Sequence, residues 1–95
     1  MKVVWTEQAT RGWREVANYI VREFGQRGLE QFQLRTIECE DAVAQFPNSG
    51  SIEWDDSGET ATYRSCIVHR RSKMLYFVKD QTVYIADFWD ARANH

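Results

Sequence analysis

The side chains best suited to chemistry gather in the last third of the chain, YRSCIVHRRSKMLYFVKDQTVYIADFWDARANH from Tyr63 to His95. Arg64, His69, Arg70, Arg71, Lys73 and Arg92 form a cationic cluster there. A guanidinium is a planar fork that grips phosphate oxygens two at a time, and a lysine ammonium is a compact point charge. His69, with an ordinary pKa near ~6.5, can give or take a proton close to neutrality. Tyr76 and Trp89 are flat rings that could stack on bases, worth ~1–3 kcal/mol each, or anchor a protein partner. Asp90 could accept a proton or orient Arg92 through a charge pair. Residue types alone leave two readings open, an anion-binding site or a set of solvated strand ends. Cys39 and Cys66 have neither metal-ligand spacing nor the density of a disulfide scaffold, so reduced, buried thiols are expected. The acidic run Glu53-Trp54-Asp55-Asp56 also lacks metal-site spacing and reads as a solvated loop. No metal or cofactor is expected.

Three apolar runs must position these residues. Cys66-Ile67-Val68, Met74-Leu75-Tyr76-Phe77-Val78 and Val83-Tyr84-Ile85 are rich in β-branched and aromatic residues. Polar breaks at Arg70-Arg71-Ser72 and Lys79-Asp80-Gln81 separate them, which predicts a three-stranded antiparallel meander. With turns centred on Arg70-Arg71 and Asp80-Gln81, strand parity assigns the faces. Cys66, Val68, Leu75, Phe77, Ala86 and Phe88 line one face and should pack on helices. Tyr63, Ser65, Ile67, His69, Met74, Tyr76, Ile85, Asp87 and Trp89 line the other, an open binding face. Arg64 falls on the helix side, near the strand start.

Upstream, Lys2-Val3-Val4-Trp5 is a short strand, and Thr6 is an N-cap with Glu7 in the first turn. Ala9, Trp13, Val16, Ala17, Ile20 and Phe24 recur at helical spacing until Gly25 stops the helix. A second helix follows Gly28, with Leu29, Phe32, Ile37, Val43 and Phe46 as its stripe and Thr36 and Glu40 near it. Pro47-Asn48-Ser49-Gly50-Ser51 ends that helix. So short a link predicts an antiparallel helix hairpin. Residues 47–60 form a loop or a short edge strand.

The 95 residues suit one domain, 1–95, of α+β class: a short N-terminal strand, a helix hairpin, then the meander. A net charge of −2 does not by itself predict a nucleic-acid partner. The distribution is uneven: six Lys/Arg face eleven Asp/Glu in residues 1–60, and six face three in residues 61–95. A mildly acidic chain can thus carry a local positive field on its sheet. No run approaches the roughly 20 apolar residues of a membrane span. The N-terminus does not read as a secretory signal, and a cytoplasmic location is expected.

Tyr63-Arg64-Ser-Cys-Ile-Val-His69, Lys73-Met-Leu-Tyr76 and Val83-Tyr-Ile-Ala-Asp-Phe-Trp89-Asp90-Ala-Arg92, with Ile20-Val-Arg-Glu-Phe24-Gly25 before them, resemble the RelE/ParE superfamily of toxins from type II toxin–antitoxin modules. The resemblance implies a toxin held inactive by a cognate antitoxin that wraps sheet and helices, in a toxin–antitoxin heteromer. It also implies one of two activities. RelE-like members cut messenger RNA in the ribosome without metal. ParE-like members inhibit DNA gyrase and cut nothing. On the first reading, metal-free cleavage needs the 2′-hydroxyl deprotonated, the phosphorane charge neutralised and the 5′-oxygen protonated. Lys73 then matches the cation against the scissile phosphate, Arg64 an early basic position and Arg92 a basic position after the last strand. His69 would serve as acid or base, with Arg70, Arg71, Tyr76, Trp89 and Asp90 binding RNA or partner. The gathering of cations on strands favours ribosome-dependent messenger RNA cleavage. The Trp89-Asp90-Ala-Arg92 ending and the low overall charge look closer to the gyrase-inhibiting alternative. A remnant without toxicity is the third.

Overall fold

The computed structural model describes residues 1–55 and 62–91. Its elements are β1 (Lys2–Trp5), α1 (Glu7–Gln45), β2 (Ser51–Asp55), β3 (Thr62–His69), β4 (Ser72–Lys79) and β5 (Thr82–Asp90). The helical stretch is two helices in one. Gly25 sits at φ 73° and ψ −171°, a conformation open in practice to glycine alone, and it divides the stretch into arms 7–24 and 26–45. The arms fold back on each other: the Trp13 and Phe32 rings stack at 5.1 Å, and the Trp13 indole N–H donates to Thr36 Oγ1 at 3.0 Å. The predicted hairpin is therefore present. Thr6 caps it as expected, its Oγ1 accepting from the Ala9 N–H at 3.0 Å while its hydroxyl donates to the Ile85 carbonyl. One residue thus fixes both the start of the helix and its seat on β5.

The polar residues inside the second arm's stripe have partners that explain them. Thr36 is buried, donates to the Phe32 carbonyl at 2.8 Å and receives the Trp13 N–H. Glu40 accepts the Trp5 indole N–H at 2.9 Å. The buried positions of this arm are Phe32, Thr36, Cys39 and Val43, a clean helical set. Ile37, expected in the stripe, is 54% exposed, and Phe46 lies exposed at the C-cap.

The sheet has the order β1-β5-β4-β3-β2, with β1 parallel to β5 and every other pair antiparallel. The segment read as loop or edge strand supplies the edge strand β2. The β3–β4 and β4–β5 connections fall at Arg70-Arg71 and Asp80-Gln81 as expected. Asp80 and Gln81 both take positive φ (52° and 59°), the twist a two-residue hairpin demands.

The face assignment needs correction on the middle strand. Two bulges, between Ile67 and His69 and between Leu75 and Tyr76, each shift the register by one residue. The first makes Cys66 pair with Met74; Tyr76 pairs with Ile85 in plain hairpin register, and the second, which skips Ala86, makes Met74 pair with Phe88. Met74, Tyr76 and Ile85 join Val68, Val83 and Phe88 in the core against the helices. Leu75 and Phe77 turn to the far face instead. Tyr63, Ser65, Ile67 and Trp89 face outward as predicted. The core meets the helices through Ala9, Ala17, Ile20, Phe32, Cys39 and Val43, with the Phe88 ring between those of Trp5 and Phe32.

Cys39 and Cys66 also depart from expectation. Their sulfurs pair as a disulfide, with Cα atoms 6.2 Å apart, joining the second arm to β3. A separation of 27 residues carries no periodic signal. Only the docking of helix on strand brings the two together.

Candidate functional site

Bulge geometry sets the far face. The β2–β3 register slips between Ile52 and Trp54, which turns Glu53 over the sheet. Glu53 Oε1 lies 2.8 Å from Lys73 Nζ, and Glu53 Oε2 accepts the Ser65 hydroxyl at 2.6 Å. Lys73 is only 6% exposed. The ammonium expected to meet a phosphate is thus packed against a carboxylate of its own chain.

On the same face runs a line of rings, of which parity places Tyr63 and Trp89 but not Trp54, Phe77 or Tyr84. Trp89 stacks on Trp54 at 5.3 Å and Trp54 on Tyr63 at 4.3 Å. Tyr63 tilts against Phe77 at 5.1 Å, and Phe77 stacks on Tyr84 at 5.2 Å. The bulge at Glu53 puts Ile52 and Trp54 on opposite faces, so their alternation in the sequence gives no guide to this ring. The bulge on β3, which reverses the faces of β4, hid Phe77.

Arg64 points the other way. It pairs with Tyr76 and donates from Nη1 to the carbonyls of Asn48 (3.0 Å) and Gly50 (2.9 Å), pinning the α1–β2 connection. Lys73 pairs with Ile67, three positions further along β3, about 10 Å away at 3.4 Å per residue. Arg64 and Lys73 therefore share neither face nor position. Tyr76, expected on the open face as a stacking ring, is fully buried. Its hydroxyl donates to the Pro47 carbonyl at 2.8 Å and accepts the Gly50 N–H at 3.0 Å. Gly50 is required there, because a Cβ would lie 2.6 Å from both Ser65 O and Tyr76 Oη.

The remaining predicted residues do converge. His69, Arg71, Trp89 and Asp90 line one cleft of about 310 Å³ with Glu15 and Tyr19 of the first arm. The Arg71 backbone N–H donates to His69 Nδ1 at 3.1 Å, so the neutral ring carries its proton on Nε2. Burial, and then the charges of Arg70 and Arg71, hold the His69 pKa below its usual 6.5. Arg71 Nη1 donates to the Tyr19 hydroxyl at 3.2 Å. Arg70 lies 4.9 Å over the Phe24 ring, whose centroid is 5.4 Å from that of His69. Trp89 donates from Nε1 to Asp87 Oδ2 at 3.0 Å. Arg92 and His95, and the acidic loop beyond Asp55, lie outside the described residues.

Comparison with known proteins gives this arrangement a lineage. Residues 3–95 match the family described as the ParE toxin of the type II toxin–antitoxin system parDE. The chain belongs to the ParE toxin family. Among solved structures, a chain of the chromosomal ParDE system from P. aeruginosa superposes with a TM-score of 0.73 at 17% identity, covering 95% of each chain. A chain of the heterotetrameric YoeB–YefM toxin–antitoxin complex from Staphylococcus aureus gives 0.55 at 12% identity, covering 98% of each. No curated protein sequence matches significantly. At such identities the two structures speak to fold alone. The fold is the RelE/ParE-like α+β arrangement that the sequence resemblance implied.

Proposed function

We propose that this ParE family member is a toxin that acts by binding, with DNA gyrase as its target and a cognate antitoxin as its restraint, and that it does not cut RNA. The observation that carries this reading is the Lys73–Glu53 pair. A catalytic cation must reach a phosphorane oxygen at the instant charge develops. Lys73 is buried and already neutralised, and a phosphate would have to displace a hydrogen-bonded carboxylate from it. Arg64 is held by two backbone carbonyls on the opposite face, so it adds no second grip. His69 has a proton-donating Nε2 but lines a cleft between helix and sheet in which Arg71 is accompanied by the carboxylates of Glu15 and Asp90, so the cleft is not a uniformly positive pocket. The leaning toward messenger RNA cleavage rested on basic residues gathering on the strands, and the separate partners of Arg64 and Lys73 weigh against it.

A binding toxin needs surfaces. The helix hairpin offers a groove of about 530 Å³, with Trp5, Trp13 and Ile37 as apolar lining and Arg14 and Glu40 among its polar groups. An amphipathic antitoxin helix fits such a groove, its apolar stripe against the rings and its charged edge against the rim. A purified-component experiment separates the activities. The toxin should inhibit gyrase supercoiling and leave ribosome-bound message intact. Cuts in that message with unimpaired supercoiling would replace this reading with the nuclease one.

A further inference from the structure

The Cys39–Cys66 disulfide is a feature of the core that the proposed function does not use. Its two sulfurs differ sharply in access. Cys39 is fully buried in the second arm of α1, among the residues that seat the helices on the sheet. Cys66, on β3, is half-buried, packed against that core from its edge. Thiol–disulfide exchange requires a thiolate to reach the sulfur it attacks, so access decides which cysteine a small reagent meets first. We infer that Cys39–Cys66 is a reversible covalent lock between the helix hairpin and the sheet, closed and opened by exchange with low-molecular-weight disulfides and thiols at Cys66.

Closing takes two displacements. The Cys66 thiolate attacks one sulfur of a small disulfide RSSR, forming Cys66–S–S–R and expelling RS⁻. The Cys39 thiolate then attacks the Cys66 sulfur, forming the internal bond and expelling the second RS⁻. Each protein thiol gives up its proton, and two electrons pass to the small disulfide, which leaves as two thiols. Opening reverses the sequence, with the small thiol attacking Cys66 because Cys39 is shielded. The lock matters because α1 and β3 are far apart in sequence and otherwise meet through apolar packing. Closing the loop between them removes conformations from the unfolded chain and opposes separation of the second arm. That arm also carries Ile37 of the apolar groove, so the oxidised protein presents the groove on a firmer base.

The test uses the full chain in buffers of reduced and oxidised glutathione, read by alkylation and intact mass. Oxidised protein should take up no alkyl groups and reduced, denatured protein two. The melting temperature should fall by about 10 °C on reduction. Cys39→Ser should accumulate a glutathione adduct on Cys66, whereas folded Cys66→Ser should leave Cys39 unmodified. If a serine variant does not fold, brief sub-stoichiometric alkylation of the reduced wild type, followed by peptide mapping, makes the same distinction, with Cys66 labelled first. Two free thiols in glutathione-oxidised folded protein would overturn the lock, as would a melting temperature indifferent to reduction. Equal labelling of the two cysteines would overturn the route through Cys66.

Discussion

At the scale of single residues, Lys73 and His69 show how surroundings redirect groups that composition marks as reactive. The Lys73 ammonium and Glu53 carboxylate are both largely withdrawn from water, so each depends on the other. Glu53→Gln should destabilise the fold by about 3 kcal/mol in urea denaturation, because a buried charge loses its partner. Glu53→Met with Lys73→Met should recover most of that loss, since apolar residues of similar volume replace a buried pair at little cost. His69 predicts a pH dependence. Its folded pKa is depressed, so the unfolded chain takes up the proton at higher pH than the native one. Stability contributed by the neutral ring is complete above pH 6.5 and declines as pH falls below it toward the folded pKa. His69→Gln should flatten that slope, and an NMR titration should place the His69 midpoint below 6.5.

At the scale of elements, backbone geometry at two glycines governs how helix meets helix and how α1 hands over to the sheet. Gly25→Ala should cost about 2 kcal/mol, since a Cβ is disfavoured at φ 73° and ψ −171° although open space surrounds it. The same substitution at Gly50 meets a carbonyl and a hydroxyl head on, and should cost about as much through overpacking. Chemical denaturation of both variants checks these values. The elements themselves were legible in the sequence. Thr6 announced a cap, Gly25 a break, and Arg70-Arg71 and Asp80-Gln81 the turns, because each is a local preference acting on its own neighbours. The faces of β4 were not legible. A bulge adds one residue for tertiary reasons and reverses every side chain beyond it, so Tyr76 moved to the core and Leu75 and Phe77 moved out. The same limit hid the Glu53–Lys73 pair and the Cys39–Cys66 bond, both contacts between segments with no shared period. Of the site residues, His69, Arg71, Trp89 and Asp90 do share a cleft, because they flank the β3–β4 turn and the end of β5 that pairs beside it.

At the scale of the whole molecule, the uneven charge seen in the sequence does not gather, among the described residues, around Lys73. Four of the described positive residues of the last third have separate partners: Lys73 an internal carboxylate, Arg64 two backbone carbonyls, Arg70 an aromatic ring and Arg71 a tyrosine. What the described residues present instead is a row of rings on one side and an apolar groove between helical arms on the other. On the proposed reading, both are surfaces for protein contact. The variant in which Glu53 and Lys73 are both methionine, confirmed as folded by circular dichroism, therefore tests the central claim most directly. Its inhibition of gyrase supercoiling should equal that of the wild type, since on the proposed reading the pair holds the sheet together and takes no part in the activity. Loss of toxicity in that folded variant, together with loss of cutting in ribosome-bound message, would contradict the account and return Lys73 to a catalytic role.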